Sequence, residues 1–203
     1  MKNIFLLFFI TALLVLGCKG GRSVANRYYL LEYPSDVIIH LHDTSTLLEK
    51  TCFLNPVNIY PVFSTNQIVY RENSHEIKYY SFNQWAVRPE SSFTRMLMDF
   101  LEIYSVFGKV YSNSQINDSD YSIETSVQRL EVIRERKTYY ANLNVRFRLA
   151  DNKSGEILTE YVASRKTRME ERNLNLFAAA ISEMFVMEFS VFINEILKDD
   201  KND

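Results

Sequence analysis

The second half of the chain carries the clearest alternation of apolar and polar residues. Every second residue over 141–149 is apolar, with asparagine or arginine between, so this strand should bury one face and expose the other. The run over 121–132 alternates as well but changes phase near residues 128–129, which predicts a β-bulge. A turn over 151–155 leads into a third strand over 157–167, so a hairpin is predicted there.

Short runs of aromatic and β-branched residues predict five further strands in the first half of the chain. These runs cover residues 27–33, 37–42, 51–60, 66–72 and 75–81. The turn residues Asn73 and Ser74 separate the last two runs, which we therefore predict to form a second hairpin.

The spacing of apolar residues predicts two helices. Pro89 suits the first turn of a helix that continues to about Phe107, with its apolar residues on one side. A second helix is predicted over 173–198, followed by a polar tail over 199–203. The order of elements predicts an α+β fold, with a mostly antiparallel sheet covered by two amphipathic helices in a single domain over 28–198.

The predicted C-terminal helix is apolar on more than one side. Val186, Met187 and Val191 lie outside the arc formed by its other large apolar residues, so a second surface must cover them. That surface is either the loop over 34–50 or a neighbouring subunit, because exposed apolar patches often mark protein contacts. These three residues and Trp85, just before the first helix, are our candidates for a partner interface, a structural plug being the alternative for Trp85.

Two residues of the predicted domain stand in unusual settings. Glu188 lies inside the apolar arc of the C-terminal helix, where we expect its carboxylate to reach water or an arginine. Cys52 is the only thiol besides Cys18, and we expect a small buried hydrophobe in a strand rather than a reactive or disulfide-bonded thiol.

The first 17 residues have the composition of a secretory signal peptide. A polar start with one lysine precedes a mostly apolar run over residues 4–16. As a helix this run is about 20 Å long, shorter than the ~30 Å hydrocarbon core of a bilayer, which disfavours a membrane-spanning anchor.

The junction over residues 15–18 (Val-Leu-Gly-Cys) resembles the bacterial lipobox. The resemblance implies cleavage between Gly17 and Cys18 and attachment of acyl chains to Cys18, which would anchor the protein permanently in a membrane. Lys19, rather than aspartate, follows the cysteine, and by the same resemblance this directs a lipoprotein to the outer membrane. Residues 18–27 have the composition of a flexible tether.

Composition and charge exclude several classes of function. The chain has 23 basic and 25 acidic residues, and this balance argues against nucleic acid as a partner. Of its five glycines only Gly108 and Gly155 lie inside the predicted domain. No glycine-rich phosphate loop can be built from them, so we predict no nucleotide cofactor.

Candidate catalytic and metal-binding groups are sparse. His40 and His42 lie on one face of a predicted strand, but a zinc site needs further ligands and His75 is the only other histidine, so we expect exposed side chains. Asp118 and Asp120 lie in a polar loop, and no catalytic motif accompanies them. We therefore predict a protein that is not an enzyme and holds no metal or other cofactor.

Several spaced motifs together resemble a known family. Residues 28–31 (Tyr-Tyr-Leu-Leu) follow shortly after the predicted lipidated cysteine, and residues 68–71 (Ile-Val-Tyr-Arg) precede residues 77–80 (Ile-Lys-Tyr-Tyr). Residues 85–86 (Trp-Ala) then precede a helix. With the later strands and the final helix, this order is similar to that of the ABC-type transport auxiliary lipoproteins, the PqiC-like group, over nearly the whole mature chain.

The resemblance implies an outer-membrane lipoprotein that faces the periplasm and has no catalysis of its own. Such a protein would work with an MCE-domain protein and an ABC permease to move lipids or other apolar compounds between two membranes. Assembly into a homo-oligomer stays open. The rival interpretation is an envelope lipoprotein that binds a small ligand, which a deep pocket with convergent polar groups would favour over flat apolar patches.

Overall fold

The computed structural model describes residues 25–35, 37–41, 49–112 and 119–199 of the 203-residue chain. These residues form a nine-stranded sheet with two helices packed against one of its faces. The strands are β1 (Arg27–Tyr29), β2 (Thr51–Leu54), β3 (Asn58–Ile59), β4 (Gln67–Arg71), β5 (Ile77–Trp85), β6 (Lys109–Tyr111), β7 (Tyr121–Glu135), β8 (Thr138–Asp151) and β9 (Ile157–Met169). The helices are α1 (Pro89–Ile103) and α2 (Leu174–Asp199). The predicted signal peptide, the tether up to residue 24 and the tail from residue 200 lie outside the described residues.

Strand β7 is the centre of the sheet. On one side it pairs antiparallel with β8 over its whole length, and β8 pairs antiparallel with β9. On the other side β7 pairs in parallel with β2, β3 and β4 in succession. Strand β5 pairs antiparallel with β4, while β1 and β6 add short parallel pairs to β5 and β2. Because the long pairings are antiparallel, the predicted α+β fold with a mostly antiparallel sheet is confirmed.

Two local signals in the long strands are confirmed. The register between β7 and β8 shifts between Val127 and Arg129, where the bulge was predicted. The bulge restores the alternation, so that Leu130 and Val132 are buried in the core as Val127 is. In the turn after β8, Gly155 has a φ of 75°, which glycine adopts without steric cost.

The strands near the N-terminus are shorter than predicted. Only Arg27–Tyr29 of the run over 27–33 is a strand, and the run over 51–60 is divided by Pro56, which has no N–H to donate to a ladder. Residues 37–41, the described part of the predicted strand over 37–42, form no strand. They lie beside α2 instead, where the His40 carbonyl accepts a hydrogen bond from a side chain of that helix.

Helix α1 begins at Pro89 as predicted but ends at Ile103 rather than near Phe107. Ser105 has a φ of 47°, in the left-handed region that a continuing helix cannot contain. The Val106 N–H donates back to the carbonyl of Leu101 at 3.2 Å and closes the helix end. Phe107 therefore lies after the end of the helix, and its side chain is buried in the core from that position.

Phenylalanine side chains form the centre of the core. The ring of Phe147 in β8 lies 5.7 Å from that of Phe185 and 5.2 Å from that of Phe189, both in α2. Phe93 and Phe100 of α1 approach the same two rings at 4.2 and 4.9 Å. Burying each such ring stabilises the fold by roughly 1.5–3 kcal/mol, so the sheet and both helices share one core.

Helix α2 is long and apolar enough to cross a membrane by length and composition. Its most apolar window of 18 residues has a mean hydropathy of 1.8, and 61% of that window is buried inside the domain. Its apolar residues therefore serve the core that it shares with α1 and the sheet.

Candidate functional site

The outward side of α2 is exposed, and it includes three large apolar residues. Leu176, Met187 and Val191 are between 39% and 48% exposed. At about 3.6 residues per turn their side chains point to the same side of the helix, and Met187 and Val191 are one turn apart. We call these three residues the α2 stripe. An apolar row on a well-packed helix is suited to bind another apolar surface.

The flank of α2 next to β9 is held by a polar clasp. The Tyr161 hydroxyl donates to Oε2 of Glu188 at 2.5 Å, and Arg165 donates to the same oxygen from Nη2 at 3.1 Å and to Oε1 from Nε. Burial, followed by the hydrogen bond to Glu188, raises the pKa of Tyr161 to about 12. The prediction that Glu188 reaches an arginine is confirmed, and the clasp fixes the rotation of α2 over the sheet.

The opposite flank of α2 is covered by the chain that follows β1. The backbone N–H of Glu32 donates to Oγ of Ser182 at 3.3 Å, and further along Nδ2 of Asn194 donates to the carbonyl of His40 at 3.1 Å. Residues 30–35 and 37–41, which we call the N-terminal segment, therefore run beside α2 in the same direction as the helix. With this flank and the β9 flank both occupied, the outward side of α2 carries the α2 stripe together with exposed Ala179 and Glu183.

The four residues predicted as a partner interface divide into two pairs. Met187 and Val191 belong to the α2 stripe and are exposed, whereas Val186 and Trp85 are only 1% and 3% exposed. Val186 is one turn after Ser182, on the flank that the N-terminal segment covers. The prediction is therefore wrong for Val186 and Trp85, because the chain itself covers them.

Trp85 is the last residue of β5 rather than part of a loop. It pairs in parallel with Tyr29, and its ring lies 5.8 Å from that of Phe177 in α2. Trp85 therefore packs inside the core, which is the structural role considered as the alternative for this residue. The signal for it was present in the sequence, because the strand run before Trp85 has no break after residue 81.

A groove of about 570 Å³ lies between the N-terminal segment and α2. Its walls mix apolar side chains with two carboxylates, Glu32 and Glu183. Among the hydroxyl groups in the wall, that of Ser182 already accepts a hydrogen bond from the N–H of Glu32. This groove is the feature that favours the rival interpretation of a small-ligand protein.

The predicted metal and acid–base candidates do not converge in the described residues. No group of three histidine, cysteine, aspartate or glutamate side chains among them is arranged to hold a metal ion. His40 is exposed, and a ring nitrogen of His75 lies 2.8 Å from Oγ of its neighbour Ser74. His42 lies outside the described residues, as do Asp43, Asp118, Gly17 and Cys18.

Cys52 and Asp120 have structural surroundings. Cys52 is fully buried in β2, which confirms the prediction of a small buried hydrophobe, and burial raises the pKa of its thiol. The carboxylate of Asp120 accepts hydrogen bonds from the backbone N–H and the Oγ1 of Thr51, each at 2.9 Å. These bonds lower the pKa of Asp120 and tie the start of β2 to the start of β7.

Comparisons with known proteins give one family and a set of similar folds. A family model described as "ABC-type transport auxiliary lipoprotein component" matches residues 45–187. The crystal structure of protein XCC0632 from Xanthomonas campestris, a DUF330 protein, superposes with a TM-score of 0.68 at 12% identity, over 87% of this chain and 100% of that one. The crystal structure of an uncharacterised protein superposes with a TM-score of 0.66 at 13% identity, over 85% of this chain and 99% of that one. No curated protein matches the sequence.

Proposed function

We infer the function of this chain from its family: it belongs to the ABC-type transport auxiliary lipoprotein components, whose model matches more than half of its length. We propose that it is a non-catalytic subunit of an ABC transport system that moves lipids or other apolar compounds between two membranes. Its partners in this proposal are an MCE-domain protein and an ABC permease.

We propose that the chain acts from the periplasmic face of the outer membrane. The lipobox-like junction supports cleavage after Gly17 and acylation of Cys18. The short tether from Cys18 then delivers the chain to β1, so the domain is held close to the membrane surface. Lys19 after the cysteine supports the outer membrane as the destination.

The observation that carries the docking role is the α2 stripe. Exposed apolar side chains in a row cost free energy in water, and a partner that covers them recovers it at about 25 cal/mol per Å². The helix that bears them is fixed by the β9 clasp and the N-terminal segment, so little conformational entropy is lost on binding. We propose that the MCE-domain partner covers Met187 and Val191.

Capture of the partner from detergent-solubilised envelopes tests this role. The Met187→Asp, Val191→Asp double variant should lose most of the captured MCE-domain protein while retaining the circular dichroism spectrum of the wild type. The matched control is Leu158→Asp with Val162→Asp, which changes two apolar residues of similar exposure on β9. Equal capture by both double variants contradicts the role of the stripe. Loss of self-association by sedimentation, with the partner still captured, would assign the stripe to a homo-oligomer.

The second candidate function is binding of a small ligand in the groove beside α2. The volume of about 570 Å³ falls within the usual range for ligand pockets. Mass spectrometry of small molecules that co-purify with the protein distinguishes the two functions. A stoichiometric polar ligand that leaves when Ser182 is changed to Phe favours this second function over docking.

A further inference from the structure

Large apolar side chains are exposed at the β1–β5 edge of the sheet and just after β1. Strands β1 and β5 pair in parallel, with Tyr28 opposite Gln84 and Tyr29 opposite Trp85. Trp85 is buried in the core, so by alternation Tyr28 and Phe82 lie on the other face of these strands. Leu30 follows the end of β1, and both Tyr28 and Leu30 border the groove beside α2. Tyr28 is 61%, Leu30 43% and Phe82 46% exposed. We call these three residues the β1–β5 patch.

The patch lies directly after the predicted lipid anchor. Cys18 is ten positions before Tyr28, and a chain of that length spans at most about 35 Å. The first described residue, Ala25, lines a shallow hollow together with Phe82. If acyl chains on Cys18 enter a bilayer, Tyr28 and Leu30 are close to the anchor along the chain. The pairing of β1 with β5 brings Phe82 to the same edge of the sheet.

The charges of the connecting segment fit a phospholipid surface. Between Cys18 and Tyr28 the sequence contains Lys19, Arg22 and Arg27 and no acidic residue. Juxtamembrane basic residues are attracted to anionic lipids. Tyrosine and other aromatic side chains favour the interfacial region of a bilayer, where an apolar ring and a polar group are both accommodated.

We propose that the β1–β5 patch rests in the interfacial region of the same bilayer that holds the acyl chains of Cys18. The proposal rests on the acylation included in the proposed function. It gives the lipoprotein a second membrane contact, which orients the domain instead of leaving it free to rotate on its tether. Helix α2 starts beside this contact, because Asn175 and Tyr29 line the same hollow.

Site-specific fluorescence on vesicles tests the proposal. The acylated full chain is reconstituted in vesicles of phosphatidylethanolamine and phosphatidylglycerol, with an NBD label at Phe82→Cys. The matched control carries the label at Val162→Cys, which has similar exposure (50%) on β9, at the other side of the sheet. Both proteins also carry Cys52→Ala so that the label reacts at one position. Dithionite added outside should reduce the label at 82 at least about fivefold more slowly than the label at 162, because an interfacial side chain is shielded from water.

Each other outcome overturns a defined part of the proposal. Equal reduction rates on protein that floats with the vesicles overturn the patch contact and leave the acyl anchor intact. If the protein lacks the added mass of acyl chains and does not float with the vesicles, the lipid anchor is contradicted. The membrane attachment in the proposed function is then contradicted as well. Protection at 82 that increases with the protein-to-lipid ratio shows a second protein molecule on the patch and also overturns the bilayer contact.

Discussion

Glu131 of β7 is fully buried, and its carboxylate is matched by three neighbours. Arg71 donates from Nε to Oε2 at 2.9 Å, while Asn142 and Arg129 lie 3.2 and 3.4 Å from Oε1. A buried carboxylate without such partners would cost several kcal/mol. The alternation of β7 places Glu131 on the face without helices, and the long arginine side chains cover it there. The alternation along a strand thus predicts which face of the sheet a charged residue lies on, but it does not predict whether that residue is buried.

Cys52 provides a test of a residue that the core uses only for packing. Cys52→Ala should lower the free energy of unfolding by about 1 kcal/mol, which lowers the Tm by roughly 2–4 °C for a chain of this size. Cys52→Ser should cost more, roughly 1–3 kcal/mol, because it places a polar hydroxyl group inside the apolar core. Thermal unfolding of the acylated chain followed by circular dichroism measures both.

The redox behaviour of the same protein is the control. The described residues contain one cysteine, which is fully buried, and the other thiol of the chain is the proposed acylation site. A reductant should therefore leave the Tm of the wild type unchanged. A shift would reveal an intermolecular disulfide and contradict the packing role of Cys52.

The long strands and both helices were predictable because their signals are local and repeated. Alternation in β8 persists over nine residues, and Pro89 marks the start of α1. The short strands were less predictable, since β2, β3 and β4 are defined by which part of β7 they reach, and that depends on residues more than sixty positions away. The covering of Val186 was partly predictable, because the loop over 34–50 was one of its two candidate covers and the chain after β1 does return to lie beside α2. Which residues of α2 it covers depends on contacts between distant parts of the sequence.

The clasp between α2 and β9 can be tested by removing its acceptor. Glu188→Ala should destabilise the protein by roughly 1–3 kcal/mol, because the Tyr161 hydroxyl and the Arg165 guanidinium lose their partner. Glu188→Gln should cost less, since an amide oxygen still accepts from Tyr161. Arg165 is about half exposed, so water replaces part of its lost interaction and limits the effect. Urea unfolding at pH 7 measures these differences.

A second carboxylate on the same helix provides the comparison. Glu183 is exposed, and Glu183→Ala should change the stability by no more than about 0.5 kcal/mol. Equal effects at 183 and 188 would contradict the clasp. Because the folded state raises the pKa of Tyr161 above the ordinary 10, its contribution is fully present below pH 10 and is lost as the pH rises through about 12. Tyr161→Phe should show less loss of stability over that interval than the wild type.

The arrangement of the domain links its two proposed contacts through α2. The helix begins beside β1, which follows the tether, and its residues near Met187 lie about 18 Å further along the axis at 1.5 Å per residue. The N-terminal segment follows the helix from the contact at Ser182, past Met187, to the contact at Asn194. The β1–β5 patch and the α2 stripe therefore lie on the same domain, and α2 connects them.

In the proposed function, membrane attachment of the domain depends on one side chain, Cys18. We expect Cys18→Ser to abolish acylation and to leave an unprocessed precursor at the inner membrane, because the thioether must form before the signal peptide is cleaved. Metabolic labelling with a palmitate analogue, followed by separation of the two membranes, measures both effects.

The matched control is Cys52→Ser, which removes the other cysteine of the chain and should retain full labelling. Equal labelling of the Cys18→Ser variant and the wild type would contradict the lipoprotein assignment of Cys18. Acyl chains on Cys18, as proposed, would bury their methylenes at ~0.8 kcal/mol each. Loss of this one sulfur should then remove essentially all stable membrane binding, including that of the β1–β5 patch, which is too small to hold the domain alone.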